Sequence, residues 1–336
     1  MSTAKDVYPS SVAGKLDIAS RMSLKEIADG EYRYTWFSIV ESCTNQGNHL
    51  IEYALRRVFP LEGPQLSIDS FKPLSPEQIA RINRTKYLVV PGCTVLQPGH
   101  NPAMDSLKAI TIPKYCLGAC YMTRRLSPRG SLARGFNRKI GARDPYTHRW
   151  LRWRRIPSVF VGCPTLTLGE SNRWRSAEGP IVMSFRWGSP DAIKDLAERL
   201  SRMSEVVLLD QEPTKNDGPT SMSRLKMLEF PEPQGALALY RSASLIVTNR
   251  VHATLPAIAF GIPFVFTSNR VDSRFSLLSY LGVRREPFDT ALVVRKADRL
   301  LNNPNLMGDC PLDRADILRR HFIRFCDEIQ QEIAVL

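Results

Sequence analysis

Short apolar runs of strand type that alternate with helical segments constrain this chain more than any other property, and Ser244 to Ser268 shows the alternation most clearly. Leu245, Ile246 and Val247 form a buried-strand run, Thr254 to Phe260 read as a helix of small and apolar residues, Gly261 caps it, and Pro263 to Thr267 begin another strand. This is a β-α-β unit with parallel strands. Its polar break, Thr248-Asn249-Arg250-Val251-His252, falls at the carboxyl end of one strand and the amino end of a helix, where open α/β sheets bind ligands. Free backbone N–H groups and the positive helix end favour an anion there. Arg250 and His252 in such a turn suit anion recognition beside proton transfer; the structural alternative is an arginine paired with a carboxylate and a histidine satisfied at a helix start.

The same alternation continues on both sides. In the first half, a strand over Tyr34 to Val40 leads into a polar loop with Asn45, Gly47 and Asn48 and then a helix over His49 to Phe59. A strand at Gln65 to Ser70, a helix at Pro76 to Asn83 behind Ser75, and a strand at Tyr87 to Val90 follow; the last runs into Gly92, Cys93 and Thr94, small residues that permit close backbone approach to a ligand. His100 stands in the next loop, toward the same cleft or on the surface. A strand at Tyr115 to Cys120 precedes a basic stretch, the turn Arg143-Asp144-Pro145, a helix at His148 to Arg155 and a strand at Ser158 to Val161. Asp144 before Pro145 also reads as a helix N-terminus, so capping competes with chemistry there.

Gly169 to Pro180 is polar and aperiodic, which places a domain junction near residue 172 and divides the chain into 1–172 and 173–336. The second series has a strand at Ile181 to Trp187, a helix at Pro190 to Met203, a strand at Val206 to Asp210 and a long polar loop from Gln211 to Pro233. A helix at Gly235 to Ala243 leads to the unit described first; helices at Arg274 to Leu281 and Asp313 to about Ile333 close the chain. Arg186, at the end of an apolar strand, needs an anionic partner: Asp210, Glu212 or a bound phosphate. The expectation is an α/β protein with two Rossmann-like domains facing one another across a cleft.

A length of 336 residues suits two domains better than one, and 43% hydrophobic with 24% charged residues is ordinary for a globular protein. The longest apolar runs are broken by Pro256, Gly261 and Pro263 and are too short to span a bilayer, and no apolar segment follows Lys5 and Asp6; a cytoplasmic protein is expected, at most resting on the inner membrane face. Seven scattered cysteines read as buried thiols of a reducing compartment, and Cys116 with Cys120 lacks a second ligand pair for zinc, so no metal is expected. The net charge of +13 suits phosphates, acidic glycans or anionic membrane surfaces; no nucleic-acid module is present, and nucleic acid is not expected as a partner. Arg149 to Arg155 reads as an amphipathic helix with Trp150 and Trp153 inward, the alternative being a lipid or nucleic-acid patch.

Arg250-Val251-His252-Ala253, then Phe260-Gly261-Ile262-Pro263 and the basic Arg274 before Leu281-Gly282, resemble the polysaccharide pyruvyl transferases. Asn45-Gln46-Gly47-Asn48 stands where that family often has a carboxylate after the glycine; Gly92 stands in place of a glycine run, and Gly162-Cys163-Pro164 in place of Gly-Asp-Pro. The resemblance covers about residues 34 to 285. It implies a GT-B-like architecture and transfer of the enolpyruvyl group of phosphoenolpyruvate to two sugar hydroxyls, with no cofactor beyond that donor. It also implies His252 as the catalytic acid, Arg143, Arg186, Arg250 and Arg274 on the donor, Asn45, Gly47, Asn48, Gly92, Cys93, Thr94 and Asp144 near the cleft, and a glycan or lipid-linked oligosaccharide as acceptor; His100 is a cleft candidate by its loop position alone. A nucleotide-sugar glycosyltransferase and a non-catalytic polyanion-binding protein are the rivals.

Overall fold

The computed structural model describes residues 32–92, 96, 101–121, 132–169, 178–211, 226–228, 232–303 and 312–336. Its first half runs β1 (Tyr34–Ser38), α1 (Gln46–Val58), β2 (Gln65–Asp69), α2 (Pro76–Asn83), β3 (Tyr87–Pro91), β4 (Lys114–Ala119), β5 (Ile140–Ala142), α3 (Pro145–Trp153) and β6 (Ser158–Phe160). The six strands form one parallel sheet in the order β2-β1-β3-β4-β5-β6. Every residue of β1, β3 and β4 is buried, as strands covered on both faces must be.

The second half runs β7 (Ile181–Ser184), α4 (Pro190–Leu200), β8 (Val206–Leu209), β9 (Lys226–Leu228), α5 (Pro233–Ser242), β10 (Leu245–Thr248), α6 (Val251–Phe260), β11 (Phe264–Phe266), α7 (Phe275–Tyr280), α8 (Thr290–Asn302) and α9 (Leu312–Ala334). Its sheet is also parallel, ordered β11-β10-β7-β8-β9. In each sheet the order reverses once beside its first strand. The reversal lies between β1 and β3 in the first sheet and between β7 and β10 in the second, and such switch points open a crevice at the carboxyl ends of the strands. The residues that follow β1, β7 and β10 are those singled out by sequence.

Several local features differ from the sequence expectation. The stretch expected as one long polar loop, Gln211 to Pro233, carries β9, which pairs with β8 in the register Val207 to Lys226. Helices α1, α3 and α6 each begin three residues before the expected start, at Gln46, Pro145 and Val251. Asn45 caps α1 by accepting from the Gly47 N–H, and Asp144 caps α3 by accepting from the Thr147 N–H. Trp153 does not face inward with Trp150: the buried stripe of α3 is Thr147, Trp150 and Leu151, and Trp153 is rotated past it to 63% exposure. Gly261 ends α6 in the left-handed region, φ 72°, as read from sequence.

Helix α9 follows the second sheet in the chain, within the segment assigned by sequence to the second domain, yet its apolar stripe lies on the first sheet. Phe322, Phe325, Cys326, Ile329 and Ile333 recur at helical spacing and pack with Tyr34, Trp36, Tyr87, Tyr115 and Leu117. Those aromatic residues make one face of the first sheet an apolar surface, and α9 covers it. The 3-10 turn Pro164–Leu168 and helices α1, α5 and α6 meet around a common core, into which α6 is buried on nearly every side.

Candidate active site

His252 is the second residue of α6 and stands where the two sheets face each other. One side of its ring touches the first turn of α1: a Cβ added at Gly47 would sit 2.5 Å from His252 Nδ1. A side chain there would displace the imidazole, so glycine sets the approach of the halves. On the other side, Nε2 is 3.4 Å from Nη1 of Arg143, which follows β5 in the first sheet. A guanidinium can only donate, so Nε2 accepts and the ring is the neutral tautomer with its proton on Nδ1.

Arg143 is itself buried, with Nη2 donating to Cys120 Sγ at 2.8 Å and its backbone N–H donating to the Ala119 carbonyl at 2.7 Å. Burial of His252 lowers its pKa well below the ordinary 6.5, and the charges of Arg143, Arg274, Arg250 and Arg186 lower it further. Those four arginines, named from sequence and drawn from both halves, therefore converge on one imidazole.

Each arginine is placed differently. Arg250 is the buried N-cap residue of α6, its N–H donating to Thr248 Oγ1 at 2.9 Å and its carbonyl accepting from Thr254 Oγ1 at 2.9 Å. Arg186 is not a buried-strand residue, because β7 ends at Ser184; it is exposed, with its guanidinium 5.4 Å from the centre of the Trp187 ring. The Asn249 side chain fixes that turn, accepting from the Arg186 N–H at 2.8 Å and donating to the Trp187 carbonyl at 2.6 Å. Arg274, at the N-terminus of α7, pairs with Asp272 at 2.6 Å. Burial works against ionisation of Asp272, and the hydrogen bonds and charge of Arg274 outweigh it, so its pKa is lowered.

Other predicted positions have structural work. Asp144 accepts from Thr147 N at 2.8 Å, from Thr147 Oγ1 at 2.9 Å and, across the cleft, from Ser276 Oγ at 3.0 Å. Burial raises its pKa, opposed by Arg143 and these hydrogen bonds. The Asn48 amide donates to the Ile39 carbonyl at 3.4 Å and Cys43 Sγ at 3.1 Å, so it shapes the loop after β1. Gly92 is explained by packing: any Cβ would collide with the carbonyl oxygens of Leu117 and Gly118 at the end of β4. Cys93, Thr94, His100 and Glu212 lie outside the described residues.

Sequence reasoning missed Arg270, whose guanidinium lies 4.9 Å from the same Trp187 ring, with Arg274 at 6.0 Å. Three arginines around one indole make a second positive, partly aromatic wall beside His252. Only the fold brings residues 186–187 and 270–274 together, so no local signal marks it. Among the described residues no helix is long and apolar enough to cross a membrane.

The two facing parallel sheets thus carry a basic cleft at their switch points. The model of the polysaccharide pyruvyl transferase family matches residues 45–270, and the chain belongs to that family. No curated protein matches the sequence. Among solved structures it is similar to the UDP-GlcNAc 2-epimerase of Neisseria meningitidis, with TM-score 0.55 and 10% identity over 89% of this chain and 99% of that one. It is also similar to MnaA of S. aureus, solved with UDP, with TM-score 0.57 and 10% identity over 88% and 96%. The wall teichoic acid polymerase TagF gives TM-score 0.53 and 9% identity over 91% and 90%. These likenesses establish the fold, two Rossmann-like domains of the GT-B type.

Proposed function

We propose that the protein transfers the enolpyruvyl group of phosphoenolpyruvate to two hydroxyls of a glycan, free or lipid-linked, as a pyruvate ketal. The observation that carries this reading is Arg143 against His252 Nε2 at 3.4 Å, with the charges of Arg274, Arg250 and Arg186 acting on the same ring. The donor presents a carboxylate and a phosphate on one three-carbon skeleton, and guanidinium groups bind both oxyanions in bidentate fashion.

In the donor-free protein His252 is neutral and its Nε2 lone pair accepts from Arg143. A bound trianion draws Arg143 to itself and cancels the positive field, which raises the histidine pKa and makes the imidazolium the favoured form. The Nε2 proton then passes to the methylene carbon, and C2 becomes oxocarbenium-like. One sugar hydroxyl adds to C2 and the second displaces phosphate. Of the two hydroxyl protons, one leaves with phosphate and one restores the imidazolium, so the products are the ketal, with a methyl carbon, and inorganic phosphate. Because the acid is charged by its own substrate, donor binding takes up a proton.

The test is release of inorganic phosphate from phosphoenolpyruvate on addition of a glycan acceptor, with pyruvate recovered as an acid-labile ketal in the product. Release of nucleoside diphosphate from a nucleotide sugar under the same conditions, with no response to phosphoenolpyruvate, would replace this reading by glycosyl transfer.

A further inference from the structure

A second recessed surface lies outside the arginine cluster, along the outward face of α3. Pro145, His148, Arg149, Arg152 and Trp153 fall on one side of that helix at spacings of three and four, and they face Phe160 of β6 and Tyr280 of α7 across a groove of about 510 Å3. The groove is thus walled by both halves of the chain. Phe160 and Tyr280 form an edge-to-face pair with centres 4.9 Å apart, and Trp153 and Tyr280 are 63% and 38% exposed. Among the described residues, neither Arg149 nor Arg152 has an acidic partner within 4.0 Å. Exposed aromatic rings beside unneutralised guanidinium groups in a concave site suit sugar faces and an anionic substituent together.

Its position ties it to the reaction centre. Pro145 immediately follows Asp144 and Arg143, while Trp153 ends the helix; nine residues of α3 span about 13 Å at the helical rise. Tyr280 likewise ends α7, the helix whose N-cap Arg274 and second residue Ser276 lie beside the cleft. A chain whose terminal sugar lies at His252 and which leaves between α3 and α7 runs into this groove.

We propose that the groove between α3, β6 and α7 is an acceptor subsite that holds an anionic glycan segment, its carboxylate or phosphate on Arg149 and Arg152 and its sugar faces on Trp153 and Tyr280. The proposal rests on the acceptor being a glycan, as above, and takes the groove as the path of its remote sugars. Contacts to such non-reacting parts supply binding energy that holds the reacting hydroxyls in place. A flat anionic membrane could also meet an exposed tryptophan flanked by arginines, but the recessed, two-walled shape favours an inserted chain.

The experiment is equilibrium binding of tetragalacturonate to the full chain, with neutral maltotetraose and phosphatidylglycerol vesicles as comparison probes. The prediction is saturable binding of tetragalacturonate that weakens at least about tenfold in the R149A/R152A double variant and in W153A and exceeds maltotetraose binding at least about tenfold. Arg149, Arg152 and Trp153 are at the surface, and circular dichroism confirms folding of each variant. Equal binding by R149A/R152A and parent overturns the subsite, as does binding of vesicles but not of tetragalacturonate, which marks the patch as a membrane contact. If tetragalacturonate binds as predicted while phosphoenolpyruvate gives no turnover, the subsite stands and the pyruvyl-transfer reading falls. Turnover of phosphoenolpyruvate with binding insensitive to these substitutions removes the subsite and leaves pyruvyl transfer standing.

Discussion

His252 is held neutral by burial and by four positive neighbours, which makes its protonation a reporter of the whole site. The sign of its effect on stability follows from linkage. Its folded-state pKa is depressed, so above the ordinary value of 6.5 neither state carries its proton and nothing is lost. As pH falls below that value the unfolded chain takes up a proton that the folded chain refuses, and stability declines until the lower folded pKa is reached. The His252→Gln variant lacks this penalty. Its Tm relative to the parent should therefore rise between about pH 7.5 and about pH 5.5, read by thermal denaturation at matched ionic strength. A constant Tm difference across that range would mean that His252 titrates normally. The tautomer and this field are not legible in the sequence, because Arg143 lies 109 positions from His252 and meets it only through the packing of two domains.

At the scale of elements, most strands and helices are legible from apolar runs and caps, and the misplaced boundaries share one cause. Apolar periodicity starts helices α1, α3 and α6 three residues late, at His49, His148 and Thr254. Their first turns carry small or polar residues, Gly47, Thr147 and His252 among them, which break the apolar pattern that marks the rest of each helix. The short β9 is hidden for a related reason, since it sits between polar segments at a sheet edge. Asp144 shows how cap and clamp combine: it ends the strand-to-helix turn before α3 and also accepts from Ser276 at the start of α7. Asp144→Ala should cost about 0.5 to 2 kcal/mol, the usual worth of an N-cap, measured by denaturant unfolding. Asp144→Asn, which keeps an acceptor oxygen, should recover most of that loss; an asparagine variant as destabilised as alanine would show that the charge, held beside Arg143, is what matters.

For the whole molecule, α9 ties the end of the chain to the first sheet after the second sheet has been completed, so the halves are joined by a crossing helix as well as by the segment between β6 and β7. The sequence marks α9 as a closing helix, but which sheet its apolar stripe covers depends on the aromatic face made by Tyr34, Trp36, Tyr87 and Tyr115, a tertiary property. Phe322 is fully buried at that contact. Phe322→Ala should cost about 3 to 5 kcal/mol and lower Tm in the full chain, whereas truncation of the exposed Ile317 should change it little. Equal effects of the two substitutions would contradict this packing.

We propose that turnover of phosphoenolpyruvate in the cleft joining the two sheets depends on His252 as the acid. Its most direct test separates binding from turnover in the His252→Gln protein, using phosphoenolpyruvate affinity by calorimetry and acceptor-dependent phosphate release on the same preparation. Affinity within a small factor of the parent with turnover reduced by about 10²- to 10⁴-fold is the predicted result, the usual worth of a positioned proton donor. A folded His252→Gln protein that releases phosphate at the parent's rate would contradict it.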